Sequence, residues 1–210
     1  MIEAPQVTSE DRAHPPRAVM ITTEASGIAQ AAAAQLAAHG HLVLIGSRQP
    51  DCAERFAAQL RQSGRSAFAA RLDFADPRTI DRFLATAEYL IGTPDVLITD
   101  FGLSAERTWV GAQILATQVI PAMIANGPGD VVLVSPELVG RADAARRREF
   151  DAWAAALDAE FVGTQVRAST VRSAPAGGVT CAEDAGRLVA SMITGPRLRL
   201  VELLTPALPA

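Results

Sequence analysis

Short runs of apolar and β-branched residues alternate along this chain with longer stretches in which apolar positions recur every three to four residues. The short runs at 18–22, 41–46, 66–72, 95–99, 130–135 and 166–171 carry few charges and read as strands, with a last one at 198–204. The longer stretches read as helices. Residues 28–39 are Ala-rich and stop at Gly40, a glycine in the usual position just past a helix end. Residues 51–63 predict a helix capped by Asp51 and closed by Gly64. Asp76-Pro77 opens a helix that runs to about residue 91, with proline at its first position. Residues 108–125 form a long apolar helix ended by Asn126-Gly127. In 144–161 the residues Phe150, Trp153, Leu157 and Phe161 mark one apolar stripe, and 183–194 is the final helix.

Strands of low charge separated by helices predict an α/β fold: a doubly wound, Rossmann-like parallel sheet of about seven strands, covered on both faces. The expected organisation is a single domain over residues 17–210 preceded by a flexible leader, 1–16, which is polar and contains Pro15-Pro16. Apolar residues make up 49% of the 210 and charged residues 20%, enough apolar content to build a core of that size. A net charge of −4 gives no general electrostatic case for nucleic acid or anionic lipid. Neither a membrane span nor the basic start and apolar stretch of a signal peptide is read, so a cytoplasmic protein is expected. Cys52 and Cys181 form no spacing motif and are expected to be free thiols; the histidines do not converge, and no metal is expected. All nineteen basic residues are arginine, and the single tyrosine is Tyr89.

Several segments resemble the short-chain dehydrogenase/reductase (SDR) family, in order, over nearly the whole chain. The family's first turn, T-G-x-x-x-G-I-G, is similar to Thr22-Thr23-Glu24-Ala25-Ser26-Gly27-Ile28-Ala29. Its L-D-x-x-D resembles Leu72-Asp73-Phe74-Ala75-Asp76, and its D-V-L-V-N-N-A-G resembles Asp95-Val96-Leu97-Ile98-Thr99-Asp100-Phe101-Gly102. The helix ending and following strand resemble Leu157-Asp158-Ala159-Glu160-Phe161 and Val166-Arg167-Ala168-Ser169-Thr170-Val171.

The resemblance implies a nicotinamide cofactor, NADP(H) or NAD(H), bound by Thr22, Thr23, Ser26, Gly27, Ile28, Arg48, Asp73 and Phe74. In this fold a glycine-rich turn lets phosphates approach backbone N–H groups at a helix N-terminus. Here only Gly27 keeps glycine; Thr23 and Ala29 stand at the other two positions. Ala29 is a mild change. A positive φ at Thr23 would strain the backbone by about 1–3 kcal/mol. Asp73 stands where the family holds adenine, and Ser47-Arg48 follows the second strand, where the family often reads a 2′-phosphate. The bland alternatives are a turn-capping Asp73 and an exposed loop Arg48, and cofactor binding stays open at this point.

The family's catalytic set is Asn, Ser, Tyr and Lys. The corresponding positions fall on Thr108, Pro136, Asp143 and Arg147, so all are substituted. Tyr89 precedes the fourth strand, away from the cleft, and is expected to pack. The substitutes that can move a proton or hold an anion are Asp143, Arg147, Glu137 and Asp100, against the plainer readings of Asp143 as a helix cap and Arg147, beside Arg146 and Arg148, as part of a solvated face. The connections near 102–108, 135–143 and 172–178 are shorter than the family's, so a shallow, open cleft is expected.

Three functions compete on this reading. One is a degenerate SDR-like protein without hydride transfer, acting as an oligomeric partner, regulatory or ligand-binding subunit. It would form a homo-dimer or tetramer, or a hetero-oligomer with a related SDR subunit, through helices 108–125 and 144–161 by way of Trp109, Ile114, Leu115, Trp153 and Leu157. Another is an NAD(P)-dependent oxidoreductase with rearranged catalytic residues. The third is a non-redox enzyme of the same fold using cleft carboxylates.

Overall fold

A computed structural model describes residues 15–23, 27–100, 106–135, 143–172, 182–195 and 202–204. The strands are β1 (Ala18–Thr23), β2 (Leu42–Ser47), β3 (Ala67–Arg71), β4 (Val96–Asp100), β5 (Gly129–Ser135), β6 (Val166–Arg172) and β7 (Glu202–Leu204). The helices are α1 (Gly27–Ala38), α2 (Pro50–Gln62), α3 (Pro77–Leu90), α4 (Glu106–Asn126), α5 (Asp143–Glu160) and α6 (Ala182–Thr194). The strands form one seven-stranded sheet in the order β3-β2-β1-β4-β5-β6-β7, every pairing parallel. This is the doubly wound arrangement expected from the alternating pattern, and the winding direction reverses between β1 and β4.

Each strand alternates its side chains between two cores. Val19, Ile21, Val43, Ile45, Val96, Ile98, Val132 and Val134 pack against α1, α2 and α6. Met20, Leu44, Leu97, Val131 and Leu133 pack against α3, α4 and α5. The stripe on α5 points inward as its spacing requires: Phe150 and Leu157 are buried, as is Phe161 just past the helix end. Two glycines let elements approach closely. A Cβ at Gly111 of α4 would lie 2.5 Å from the Phe74 carbonyl oxygen, and one at Gly186 of α6 would lie 2.7 Å from Ala32 N in α1.

Helix boundaries follow local chemistry. Asp76 caps α3, its Oδ1 accepting the Arg78 N–H at 3.1 Å, with Pro77 at the first helical position. The expected Asp51 cap is not formed. Gln49 is the N-cap of α2 and makes no side-chain capping bond; Asp51 sits inside the first turn, where its charge favours the helix dipole. The reason is Pro50, which starts the helix one residue earlier and has no N–H to satisfy. Gly40 and Gly64 close α1 and α2 with positive φ, 84° and 75°.

The amino edge of the sheet carries a charge network that the pattern of apolar positions does not reveal. Asp130 of β5, buried, is held by both Arg17 and Arg167. Arg17 also bonds Asp95 through Nε at 3.1 Å and donates to the Asp95 carbonyl at 2.9 Å. The two guanidinium groups reach the last carbonyls of α6, Arg167 that of Met192 and Arg17 that of Ile193 at 3.5 Å. The network thus satisfies carbonyls that a helix end leaves unpaired. Burial pushes the Asp95 carboxyl above its usual 3.8, opposed by the adjacent Arg17 charge.

Candidate active site

Ligands of doubly wound sheets bind outside the carboxyl ends of the strands, at the reversal of strand order. Here that place is bounded by the ends of β1 and β4. The strands are register partners, Thr22 lying opposite Thr99. Thr22 Oγ1 accepts the Asp100 backbone N–H at 3.0 Å, tying the two strand ends together. On the other side, Thr23 Oγ1 donates to the Gly46 carbonyl of β2 at 3.5 Å. Thr23 therefore belongs to the sheet: it is the last residue of β1, paired with Ser47. No described residue other than glycine has a positive φ, so the strain expected at Thr23 is absent. The first-turn glycine position has become a strand end.

A cleft of about 160 Å³ opens between the ends of β1 and β2 and the start of α2. Thr23, Gly27 and Gln30 line it from β1 and α1. Ser47, Arg48 and Gln49 line it from the β2 end. Ile45, Ala53 and Phe56 supply an apolar wall, with Cys52 at the rim. Ser47 Oγ accepts the Gln49 N–H at 3.1 Å, which shapes the turn that presents Arg48. Arg55 donates to Cys52 Sγ at 3.1 Å, and Cys52 is an exposed free thiol. Gln30, Gln49 and Phe56 are not singled out by the sequence, and Cys52 only as a free thiol; their one signal as site residues is a place near the carboxyl ends of β1 and β2.

Of the residues expected to hold a cofactor, the cleft brings together Thr23, Gly27 and Arg48. Thr22 is occupied with Asp100, and Ile28 is buried in the core under α1. Asp73 is not among the residues that line the cleft. Its Oδ1 accepts the Ala75 N–H at 3.0 Å and its own N–H donates to Thr79 Oγ1 at 2.9 Å, a locally closed turn. The Phe74 side chain is buried in the α3–α4 core, against Gly111. Ser26 lies outside the described residues.

Of the four residues proposed from sequence to replace the family's acid–base groups, Asp100 and Arg147 can be placed, and they stand on different faces of the sheet. Asp100 ends β4 with 0% exposure, its alternation with Val96 and Ile98 placing it on the α1 face. Arg147 is exposed on α5, which covers the opposite face of the sheet, as are Arg146 and Arg148. Asp143 begins α5, and Glu137 lies outside the described residues. The shortened connections also fall largely outside them. Tyr89 does not pack as expected: it is 88% exposed on the last turn of α3. Helices run back across a parallel sheet, so that turn leads to the amino edge, opposite the cleft.

A sequence profile of the short-chain dehydrogenase family matches residues 17–145. The chain belongs to that family. Among curated SDR relatives, L-rhamnose 1-dehydrogenase (NAD(P)(+)) of a Sphingomonas species is 34% identical over 137 residues, 57% of this chain and 54% of the relative. Dehydrogenase/reductase SDR family member 4 of Bos taurus is 29% identical over 136 residues, 57% of this chain and 49% of the relative. The chain thus spans about half the length of these curated relatives. Among solved structures, a metagenomic short-chain oxidoreductase in complex with NADP superposes with a TM-score of 0.77 at 19% identity, covering 90% of this chain and 97% of that one. A variant of actinorhodin polyketide ketoreductase with NADPH superposes with a TM-score of 0.78 at 19% identity, covering 91% and 96%. At that identity the likeness establishes the SDR fold. Among the described residues no helix is long and apolar enough to cross a membrane, and no cluster of three His, Cys, Asp or Glu side chains is placed to hold a metal.

Proposed function

We propose that this SDR-family chain is a ligand-binding or partner subunit that does not carry out the family's hydride transfer. The observation that supports this reading is the position of Tyr89. The chain has one tyrosine and no lysine, and that tyrosine is 88% exposed at the far edge of the sheet from the cleft. Acid–base catalysis needs a group of suitable pKa within hydrogen-bond reach of the reacting atom. Of the other candidates, Asp100 and Arg147 lie on opposite faces of the sheet. The test is turnover: the purified chain, given NADPH with a panel of aldehydes and ketones, is expected to show no oxidation of the nucleotide above background. Steady turnover at ordinary enzymatic speed would sink this reading.

The ligand side of the proposal is a nucleotide held by its adenosine end. The cleft supplies an apolar wall and an arginine at the end of β2, where an arginine accommodates a 2′-phosphate in this fold, so an NADP-type ligand fits better than an NAD-type one. When bound, a nicotinamide nucleotide supplies hydride; this chain's own residues would hold the adenosine end and lack the Tyr–Lys pair that moves the accompanying proton. Calorimetric titration with NADP+ of the unmodified chain and of Arg48→Ala tests the contact, with weaker binding expected in the variant.

The partner side rests on α4 and α5. Trp109 packs on Phe150 and Trp153, with ring centroids 6.1 and 5.3 Å apart. Leu115 and Leu157, read from sequence as interface residues, are instead buried in the chain's own core. The outward apolar residues of α4 are Val110, 50% exposed, and Ile114, 36% exposed, one turn apart. A self-associated or hetero-oligomeric subunit through this face is the expected state, and a strictly monomeric mass by light scattering would count against it.

A further inference from the structure

We infer that Phe56 on α2 is the wall against which the ligand's ring rests, so that the cleft holds a heteroaromatic ring with an anionic group beside it on the α2 side of the sheet, not at Asp73 and Phe74. The inference rests on the nucleotide-binding reading above and adds where the base lies and which residue holds it.

The apolar lining of the cleft belongs to one core. Ile45 of β2 and Ala53 of α2 are buried there, and Phe56, partly buried, packs against the same core while lining the cleft. Phe56 follows Cys52 and Ala53 by four and three residues, so all three share the face of α2 that borders the cleft. Among the described lining residues Phe56 supplies the one aromatic surface. The end of β3, where the family holds adenine, offers no such surface here. Asp73 closes a turn with Ala75 and Thr79, and the Phe74 side chain is buried against Gly111 of α4. The polar lining suits a ring that carries a negative charge. Arg48 offers a cation to the anionic group, and the amides of Gln30 and Gln49, each both donor and acceptor, match the edge of a nitrogen heterocycle. An apolar wall with a few placed polar groups is the usual make-up of a small-molecule site. The volume, about 160 Å³, is below the roughly 300–1,000 Å³ of clefts that enclose a drug-sized ligand, so the cleft encloses a ring and its neighbouring charge and leaves the rest of a larger ligand outside. Phe56 acts as a binding residue, independently of any proton or hydride transfer.

Calorimetric titration of the full chain with 2′-AMP, beside three variants, tests this. Phe56→Leu keeps apolar bulk and removes the ring, and should weaken 2′-AMP by about tenfold, as loss of a base–aromatic stack does. Phe56→Tyr keeps the ring and should stay within about threefold of the unmodified chain. Asp73→Asn keeps the Oδ1 acceptor for the Ala75 N–H and should change the affinity by less than about twofold. A second measurement needs no variant. A ring resting on Phe56 covers Cys52, an exposed thiol at the rim, so 2′-AMP at about ten times its Kd should slow alkylation of Cys52 by iodoacetamide about fivefold or more, read on the Cys52 peptide by mass spectrometry. Alkylation of Cys52 that bound 2′-AMP leaves unchanged would overturn the inference, even if Phe56→Leu failed to fold. An unaltered affinity in a folded Phe56→Leu variant, or a larger loss in Asp73→Asn than in Phe56→Leu, would overturn it too, and the nucleotide-binding reading would survive. Absence of 2′-AMP binding to the unmodified chain at millimolar concentration would instead remove that reading, and this inference with it.

Discussion

Thr22 and Thr99 lie side by side across the β1–β4 junction, yet their hydroxyls have different fates: Thr22 Oγ1 accepts the Asp100 N–H, whereas Thr99 Oγ1 is buried with no hydrogen-bond partner among the described residues. The same substitution at the two positions should therefore have opposite consequences. Thr22→Val removes the hydroxyl that accepts the buried Asp100 N–H and is expected to cost about 1–3 kcal/mol. Thr99→Val replaces an unpaired buried hydroxyl with a methyl group of similar size and is expected to be neutral or stabilising. Urea denaturation of the two variants beside the parent chain decides it, and equal losses would show that the pairing at Thr22 is not what matters.

The amino-edge network predicts a large effect at one residue. Asp130 is buried between Arg17 and Arg167. Removing one partner of a buried ion pair leaves an uncompensated charge, so Asp130→Ala should destabilise the fold by about 3–5 kcal/mol. The midpoint of chemical denaturation is the measurement. A loss of under about 1 kcal/mol, the range of exposed surface pairs, would mean that the network is not buried in solution.

Asp95 belongs to the same network and predicts a pH dependence. Its carboxyl is raised above 3.8 by burial, against the pull of Arg17. The folded chain therefore binds a proton more readily than the unfolded chain between 3.8 and the raised value. This group's contribution to stability consequently rises as pH falls through that window and declines as pH climbs out of it. Asp95→Asn abolishes the effect. Thermal unfolding of parent and variant across the carboxylate range should show the parent gaining on the variant toward acid; the opposite trend would mean that the Arg17 attraction outweighs the desolvation.

Gly186 tests the packing of α1 against α6. An added Cβ would fall against Ala31 Cβ and 2.7 Å from Ala32 N, a backbone atom that cannot swing aside. Gly186→Ala should cost about 1–3 kcal/mol through overpacking, despite alanine's better helix propensity. Gly64→Ala offers the contrast: nothing lies near its Cβ, and its penalty comes only from a φ of 75°. Thermal melts of both variants, with Gly186→Ala no worse than the parent, would refute the tight helix contact.

Much of the architecture could be read without coordinates, because strand burial and helix amphipathicity leave period-two and period-3.6 traces in the order of residues. The strands of few charges, the α5 stripe and the Asp76-Pro77 helix start are local signals with local causes, and each appears in the structure close to its expected bounds. The absence of lysine and the solitary tyrosine are likewise facts of the chain alone. Tertiary structure decided the matters that depend on who meets whom. Thr23 escapes strain because β1 continues through it beside β2, and Tyr89 is exposed because its helix turn faces solvent. Phe74 and Leu157 enter cores, and Arg17, Asp130 and Arg167, far apart in the chain, join only when parallel pairing brings strand starts to one edge. Side-chain period is a property of one segment, whereas charge pairing and the lining of a cleft arise between segments, and no local pattern records them.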